Sequence, residues 1–173
     1  DEIKKGLASL TTQQPASAVG IGFGGPLDWR TGQIACSHQI SGWDGFNLGT
    51  WITEQCRAPV LIDNDANVAG LAEATYGAGK NFNPVFYVTL GSGVGGGLVC
   101  DGKIYHGSIP GESEIGHLRL DREGLILEHS CSGWAVDQKI MSAIEKDPHC
   151  RLASHVQALG GPPASALGPA LAE

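Results

Sequence analysis

The chain has 173 residues, 11 Lys and Arg against 18 Asp and Glu, a formal net charge of -7 and 42% hydrophobic content. That composition suits one soluble domain or two small lobes, and its acidity argues against a surface that coats nucleic acid or polyphosphate. A phosphorylated small substrate held by backbone amides remains compatible with it.

No apolar run approaches the roughly 20 residues of a membrane helix, so no membrane partner is expected. Asp1-Glu2-Ile3-Lys4-Lys5 does not resemble a signal peptide. The five cysteines, Cys36, Cys56, Cys100, Cys131 and Cys150, are scattered and form no Cys-x-x-Cys pair. Free thiols in a reduced, cytoplasmic protein are the expectation.

In chain order, 1–10 reads as the end of a helix with Ile3, Leu7 and Leu10 on one side. Ala18 to Phe23 reads as a buried strand that runs into a turn-rich loop, Gly24-Gly25-Pro26-Leu27-Asp28. Gly49 to Cys56 is a short helix, and Pro59 to Ile62 is a strand ending in polar Asp63-Asn64-Asp65. Ala66 to Tyr76 is helical, with Val68, Leu71, Ala72 and Thr75 on one stripe. Gly77 to Asn81 is the best hinge candidate.

Val85 to Leu90 is a second strand, rich in β-formers. It enters Gly91-Ser92-Gly93-Val94-Gly95-Gly96-Gly97. Leu98-Val99-Cys100 and Ile104-Tyr105 flank a hairpin turn at Asp101-Gly102-Lys103. Trp134 to Ile144 is a helix with Val136, Ile140, Ala143 and Ile144 facing in and Ser132 as N-cap. The Ala, Gly and Pro-rich tail from Gly160 carries no site signal. Strands alternating with helices imply an α/β fold, in two lobes about Gly77–Asn81.

Gly91, Gly93 and Gly96 satisfy the spacing of a dinucleotide fingerprint. That reading needs a helix straight afterwards, and a hairpin follows instead. No Gly-Lys-Ser/Thr occurs, which removes the Walker loop. Two readings stay open: a Gly turn whose bare amides, helped by the Ser92 hydroxyl, cradle an anion, or a Gly-rich bend between packed strands.

Asp63-x-Asp65-x-Asn67 begins like a calcium loop, but Val68 and Ala74 stand where Gly and Glu belong. A strand end that leads into a helix is where α/β proteins place ligands. Asp65 there could accept a proton from a substrate hydroxyl. Helix capping is the competing role for these Asp and Asn residues.

Taken together the motifs resemble the ROK family of repressors, open reading frames of unknown role and sugar kinases. Ile21 to Asp28 is similar to its first sugar-side loop, Gly42-Trp43 to its Trp turn, and Ile62 to Asn67 to its Asn-Asp-x-Asn turn. Thr89 to Gly97 is similar to its second phosphate loop, with Ser92 where Thr is usual, and Glu114-Ile115-Gly116-His117 to its Glu-x-Gly-His. The resemblance runs from about Val19 to Ile144. It implies the actin-like ATPase (ribonuclease H-like) fold, two α/β lobes around a cleft. The family's first phosphate loop and adenosine-side segment are not found, so the chain reads as the central part of that fold. Residues 1–80 would belong to the small, sugar-side lobe and residues 81–173 to the large one.

The resemblance further implies ATP-dependent phosphorylation of a hexose hydroxyl, that of glucose or a related hexose or N-acetylhexosamine. Asp65 would be the general base, and Gly91, Ser92, Gly93 and Gly95 would hold phosphates. Gly25, Asn64, Asp65, Glu114, His117 and Glu128 would grip the sugar. Mg²⁺ would arrive with ATP, and lobe closure would exclude water. The alternative within the family is a non-catalytic, sugar-sensing core of a transcriptional regulator. The partner is then a small sugar rather than nucleic acid through this chain, and the family suggests a homodimer.

Glu114-x-x-His117 also has the spacing of a carboxylate–histidine pair on a metal-binding helix. It follows Pro110-Gly111 among glycines, where a regular helix is not expected. Many relatives carry a Cys-rich zinc knuckle between this motif and a following Leu-Glu-x-x-x-Ser-Gly. Here Asp121 to Ile126 replaces it, and Leu127-Glu128-His129-Ser130-Cys131-Ser132-Gly133 keeps the second flank. His117, His129 and Cys131 would give three ligands where a structural site wants four, so zinc is not expected.

Overall fold

The computed structural model describes residues 2–11, 15–37, 40–108 and 113–166. Asp1, Pro110, Gly111 and the tail from residue 167 lie outside the described residues. The chain divides into two compact units, 1–87 with 96–113, and 88–95 with 114–173.

The first unit opens with helix α1 (Glu2–Thr11) and strand β1 (Val19–Phe23). Strands β2 (Leu27–Asp28) and β3 (Gln33–Ile34) follow, then α2 (Leu48–Cys56), β4 (Val60–Asn64) and α3 (Asp65–Tyr76). β1 pairs with β4 in parallel, Phe23 opposite Asn64 and Gly22 opposite Asp63. β2 and β3 form an antiparallel hairpin, Leu27 opposite Ile34. That hairpin lies partly in the segment expected to be a loop. Its strands are two residues long, too short for an alternating pattern to register.

The core of this unit is Phe23, Leu27, Ile34, Leu48, Ile52 and Ile62. Ile34 is fully buried, a burial that stabilises by about 1.5–3 kcal/mol. Around it runs a row of rings. Phe23 stacks with Trp43 at 6.3 Å, Trp43 meets Phe46 at 5.5 Å, and Phe46 meets Trp51 at 6.2 Å. Of the expected α1 stripe only Leu7 packs on this core, and Ile3 and Leu10 are exposed.

α2 begins at Asn47, whose side chain accepts from Thr50 N at 2.8 Å, and ends at Arg57 in the left-handed region. In α3 the expected Val68 stripe is not the buried face. Ala66 and Gly70 are buried, and Val68 is 37% exposed. A Cβ built on Gly70 would meet Tyr87 Cβ at 3.1 Å and Gly97 O at 3.4 Å. One on Gly97 would meet Ala66 O at 2.8 Å. The helix lies so close to the strand carrying Gly97 that small residues form its inner face.

Strands β5 (Val85–Leu90), β6 (Val94–Cys100) and β7 (Lys103–Ile104) form one sheet in that order. The β6–β7 turn is Asp101-Gly102, both at positive φ (51° and 72°), the geometry a two-residue hairpin needs. Asn83 braces it, donating to Asp101 Oδ1 (2.7 Å) and accepting from Asp101 N (2.9 Å).

The second unit holds a 3₁₀ turn at Ile115–His117 and helices α4 (Leu127–Cys131), α5 (Gly133–Lys146) and α6 (Arg151–Leu159). Ser132 caps α5 as expected, its hydroxyl accepting from Ala135 N. Ala135 and Ile140 are the buried residues of α5, while Ala143 is exposed rather than inward. α4 and α6 are additional to the expected elements, and neither has a side-chain N-cap bond.

Candidate functional site

In the first unit, parallel pairing of β1 and β4 brings two sequence-distant segments to one sheet end. The Gly24-Gly25 loop leaves β1 after Phe23, and the Asn64-Asp65 turn leaves β4 opposite it. A Cβ on Gly22 would meet Asp65 Cα at 3.5 Å. Gly25 has φ 151°, donates its amide to Phe23 O and lies against the Phe23 ring and Cys36 O. The carboxyl ends of parallel strands are the usual place for ligands in such sheets.

Asn64 is the N-cap of α3, its Oδ1 accepting from Ala66 N at 2.9 Å and Asn67 N at 3.3 Å. Asp65, the first helical residue, is exposed, and its Oδ1 accepts from Ala66 N at 2.9 Å. A carboxylate in the first turn is favoured by the helix dipole. Capping is therefore one function of this turn, and the cap holds Asp65 at the sheet end.

Asp63, which the sequence marks only as part of the polar turn, is joined here to two residues that the sequence does not single out, His106 and Trp29. Asp63 Oδ1 accepts from Asn64 N (2.8 Å) and Asn67 Nδ2 (3.0 Å), and Asp63 Oδ2 lies 2.6 Å from His106 Nε2. The His106 ring stacks on Trp29 at 4.1 Å and 14°. The one available signal is that His106 directly follows a strand expected at Ile104-Tyr105.

In the second unit, Gly91-Ser92-Gly93 is the bend before β6, with Gly91 N bonded to Gly93 O at 2.9 Å. Gly91 and Ser92 are exposed, and Gly95 lies within β6. The start of α5 abuts this bend, since Gly133 N donates to Gly91 O (2.7 Å) and Trp134 N to Ser92 O (3.4 Å). Trp134 itself is 65% exposed. Glu128, in the first turn of α4, accepts from Val94 N through Oε2 at 2.8 Å. A Cβ on Gly93 would meet that same oxygen at 2.6 Å.

Glu114 and His117 bracket the 3₁₀ turn, where His117 N bonds to Glu114 O and Gly116 packs its backbone on Val94 O. The 118–127 segment folds back on itself, with Leu127 N bonded to Leu118 O and Leu120 N to Leu125 O. That return places α4, and so Glu128, beside the Glu114–His117 turn. Gly91, Ser92, Gly93, Gly95, Glu114, His117 and Glu128 thus share one unit, and Gly25, Asn64 and Asp65 share the other.

Among the described residues no group of three or more His, Cys, Asp or Glu side chains could hold a metal ion. Nor is any helix there long and apolar enough to cross a membrane.

The ROK family model matches residues 1–150. A glucokinase of Halalkalibacterium halodurans is 43% identical over 108 residues, 61% of this chain and 32% of that protein. A xylose repressor of Bacillus spizizenii is 31% identical over 112 residues, 65% of this chain and 29% of that protein. Among solved structures, a ROK family glucokinase from Streptomyces griseus in complex with glucose and AMPPNP superposes with a TM-score of 0.77. It is 28% identical, and the match covers 92% of this chain and 53% of that one. A ROK hexokinase from Thermus thermophilus gives a TM-score of 0.71 at 31% identity, over 83% of this chain and 52% of that one. The chain spans about a third of the length of these curated relatives and about half of these solved chains. It has the actin-like ATPase fold of its structural neighbours, and it belongs to the ROK family.

Proposed function

We propose that this chain carries the sugar-phosphorylating core of an ATP-dependent hexose kinase, with Asp65 as general base. The observation that carries the reading is the position of Asp65: exposed, in the first turn of α3, at the sheet end it shares with Gly25. In this reading Asp65 accepts the proton of a sugar hydroxyl as that oxygen bonds to the γ-phosphorus of ATP. The bond from phosphorus to the bridging oxygen breaks, and ADP leaves. Such transfers are catalysed mainly by positioning and charge stabilisation.

Asn64 and the Gly25 backbone serve the sugar from the first unit. Glu114, His117 and Glu128, within the second unit, are side chains of the kind that bind sugar hydroxyls, because hydroxyls donate and accept in fixed directions. Gly91, Ser92, Gly93 and Gly95 supply backbone amides and a hydroxyl for phosphates. Mg²⁺, bound with ATP, would neutralise phosphate charge. Glucose is the first sugar to test, because glucokinases are among the similar proteins.

The experiment is a panel of hexoses and N-acetylhexosamines with ATP and Mg²⁺, run on the full-length protein and its Asp65→Asn variant. The expected outcome is turnover that falls about 10²–10⁴-fold in the variant while sugar binding is kept. Undiminished turnover in Asp65→Asn removes the assigned base. Sugar binding without turnover in the unaltered protein would favour the second reading, a sugar-sensing regulator core, which the similarity to a xylose repressor supports.

A further inference from the structure

Asp63 and His106 are 43 positions apart and neither is among the residues assigned to sugar or phosphate, yet the bond between them adjoins the Asn64–Asp65 turn. The Asp63 carboxylate ties three segments together. Through Oδ1 it holds the amide at the end of β4 and the Asn67 side chain in the first turn of α3. Through Oδ2 it holds the segment that follows β7, by way of His106.

A carboxylate accepts and does not donate, so His106 Nε2 carries the proton in this bond. The side chains of His106 and Asp63 are only 19% and 14% exposed, so water competes weakly for it. Trp29 fixes the plane of the imidazole by stacking on it, and the Arg30 guanidinium lies 5.0 Å from the Trp29 ring centroid. Every member belongs to the first unit.

We propose that His106 is a positioning residue: by bonding Asp63 it sets the conformation of the Asn64–Asp65 turn and so the aim of the Asp65 carboxylate. The catalytic half of this proposal rests on the kinase reading above. The positioning half does not, because it concerns the turn itself. Without His106, Asp63 Oδ2 has no partner among the described residues, and the carboxylate can rotate away from Asn64 N and Asn67 Nδ2. A shift of about 1 Å in a reacting group can cost on the order of 10²-fold in rate.

The test uses full-length protein with His106→Ala, His106→Gln and His106→Asn. Gln places an amide N–H near the position of Nε2, whereas Asn places it nearer Nδ1. Amide hydrogen exchange at residues 64–67 is read first, since it needs no turnover. Exchange at Ala66 and Asn67 should rise on the order of tenfold in His106→Ala and His106→Asn, and return towards the original rate in His106→Gln. Hexose phosphorylation should follow the same order. His106→Ala and His106→Asn should lower kcat by roughly 10- to 100-fold with the KM for ATP unchanged, and His106→Gln should recover most of that loss. Unchanged exchange in His106→Ala overturns the proposal, as does His106→Gln exchanging as fast as His106→Ala. If the unaltered protein phosphorylates no sugar, the kinase reading falls, and the exchange series alone decides the role of His106.

Discussion

Gly97→Ala is the perturbation whose cost the structure defines most sharply. The added methyl would sit 2.8 Å from Ala66 O, 2.9 Å from Asn67 Cα and 3.1 Å from Asn67 Oδ1. Ordinary contacts begin near 3.4 Å, so strand and helix must part by about 0.6 Å. The two nearest atoms are backbone, which cannot rotate aside as a side chain can. Overpacking of this kind costs about 1–3 kcal/mol. For a chain of this size that is a fall in Tm of about 2–12 °C. The displaced residues adjoin Asp65, so under the proposed kinase reading kcat for hexose phosphorylation should fall by on the order of 10-fold or more, because sub-ångström misplacement erodes catalysis steeply. Gly20→Ala is the matched control, since nothing lies within 4 Å of a Cβ there. Thermal melts and steady-state kinetics on the two full-length variants measure both effects. A Gly97→Ala protein with the Tm and kcat of Gly20→Ala would refute the close helix–strand approach and its coupling to the turn.

Ser132→Ala removes the cap of α5 from a site only 3% exposed; denaturant melts should show a loss of about 1 kcal/mol. Gly93→Ala should push Glu128 Oε2 off Val94 N, losing a hydrogen bond to a charged group worth about 1.5 kcal/mol. In a double-mutant cycle that cost should shrink by about 1 kcal/mol on a Glu128→Ala background, and strict additivity would show the two residues do not interact. Chelator treatment should leave Tm unchanged and elemental analysis should find less than one zinc per chain, since loss of a structural zinc would remove most of the stability of its surroundings.

The elements nearest the candidate site were the legible ones. β4 and β5 open on runs of β-formers, β1 alternates Val19, Ile21 and Phe23 with glycine, and α3 follows an Asn cap, so each announces itself within a few residues. The β2–β3 hairpin, α4 and α6 do not. The first is too short to show a period, and the helices lack the side-chain cap that marked α5. The inner face of α3 was misread for a different reason. Hydrophobic periodicity assumes that the largest apolar residues face inward, and here the backbone-to-backbone approach at Gly97 admits only Ala66 and Gly70. Gly25, Asn64 and Asp65 were recognisable as motifs, and their meeting at one sheet end follows from a β1–β4 register that no local pattern encodes. Asp63, Trp29 and His106 are joined only by the fold, across three segments with no shared spacing.

The row of rings around the first core has an optical consequence. Of the chain's four tryptophans, Trp29, Trp43 and Trp51 belong to the first unit and Trp134 to the second. Trp43 and Trp51 are half-buried among other rings, so their emission reports the apolar packing behind Gly25. Trp134 is largely in solvent beside the Ser92 bend and should emit further to the red. With Trp134 replaced by Phe, fluorescence follows the first unit alone. With Trp29, Trp43 and Trp51 replaced, it follows the glycine bend alone. Each unit thus carries its own native chromophores.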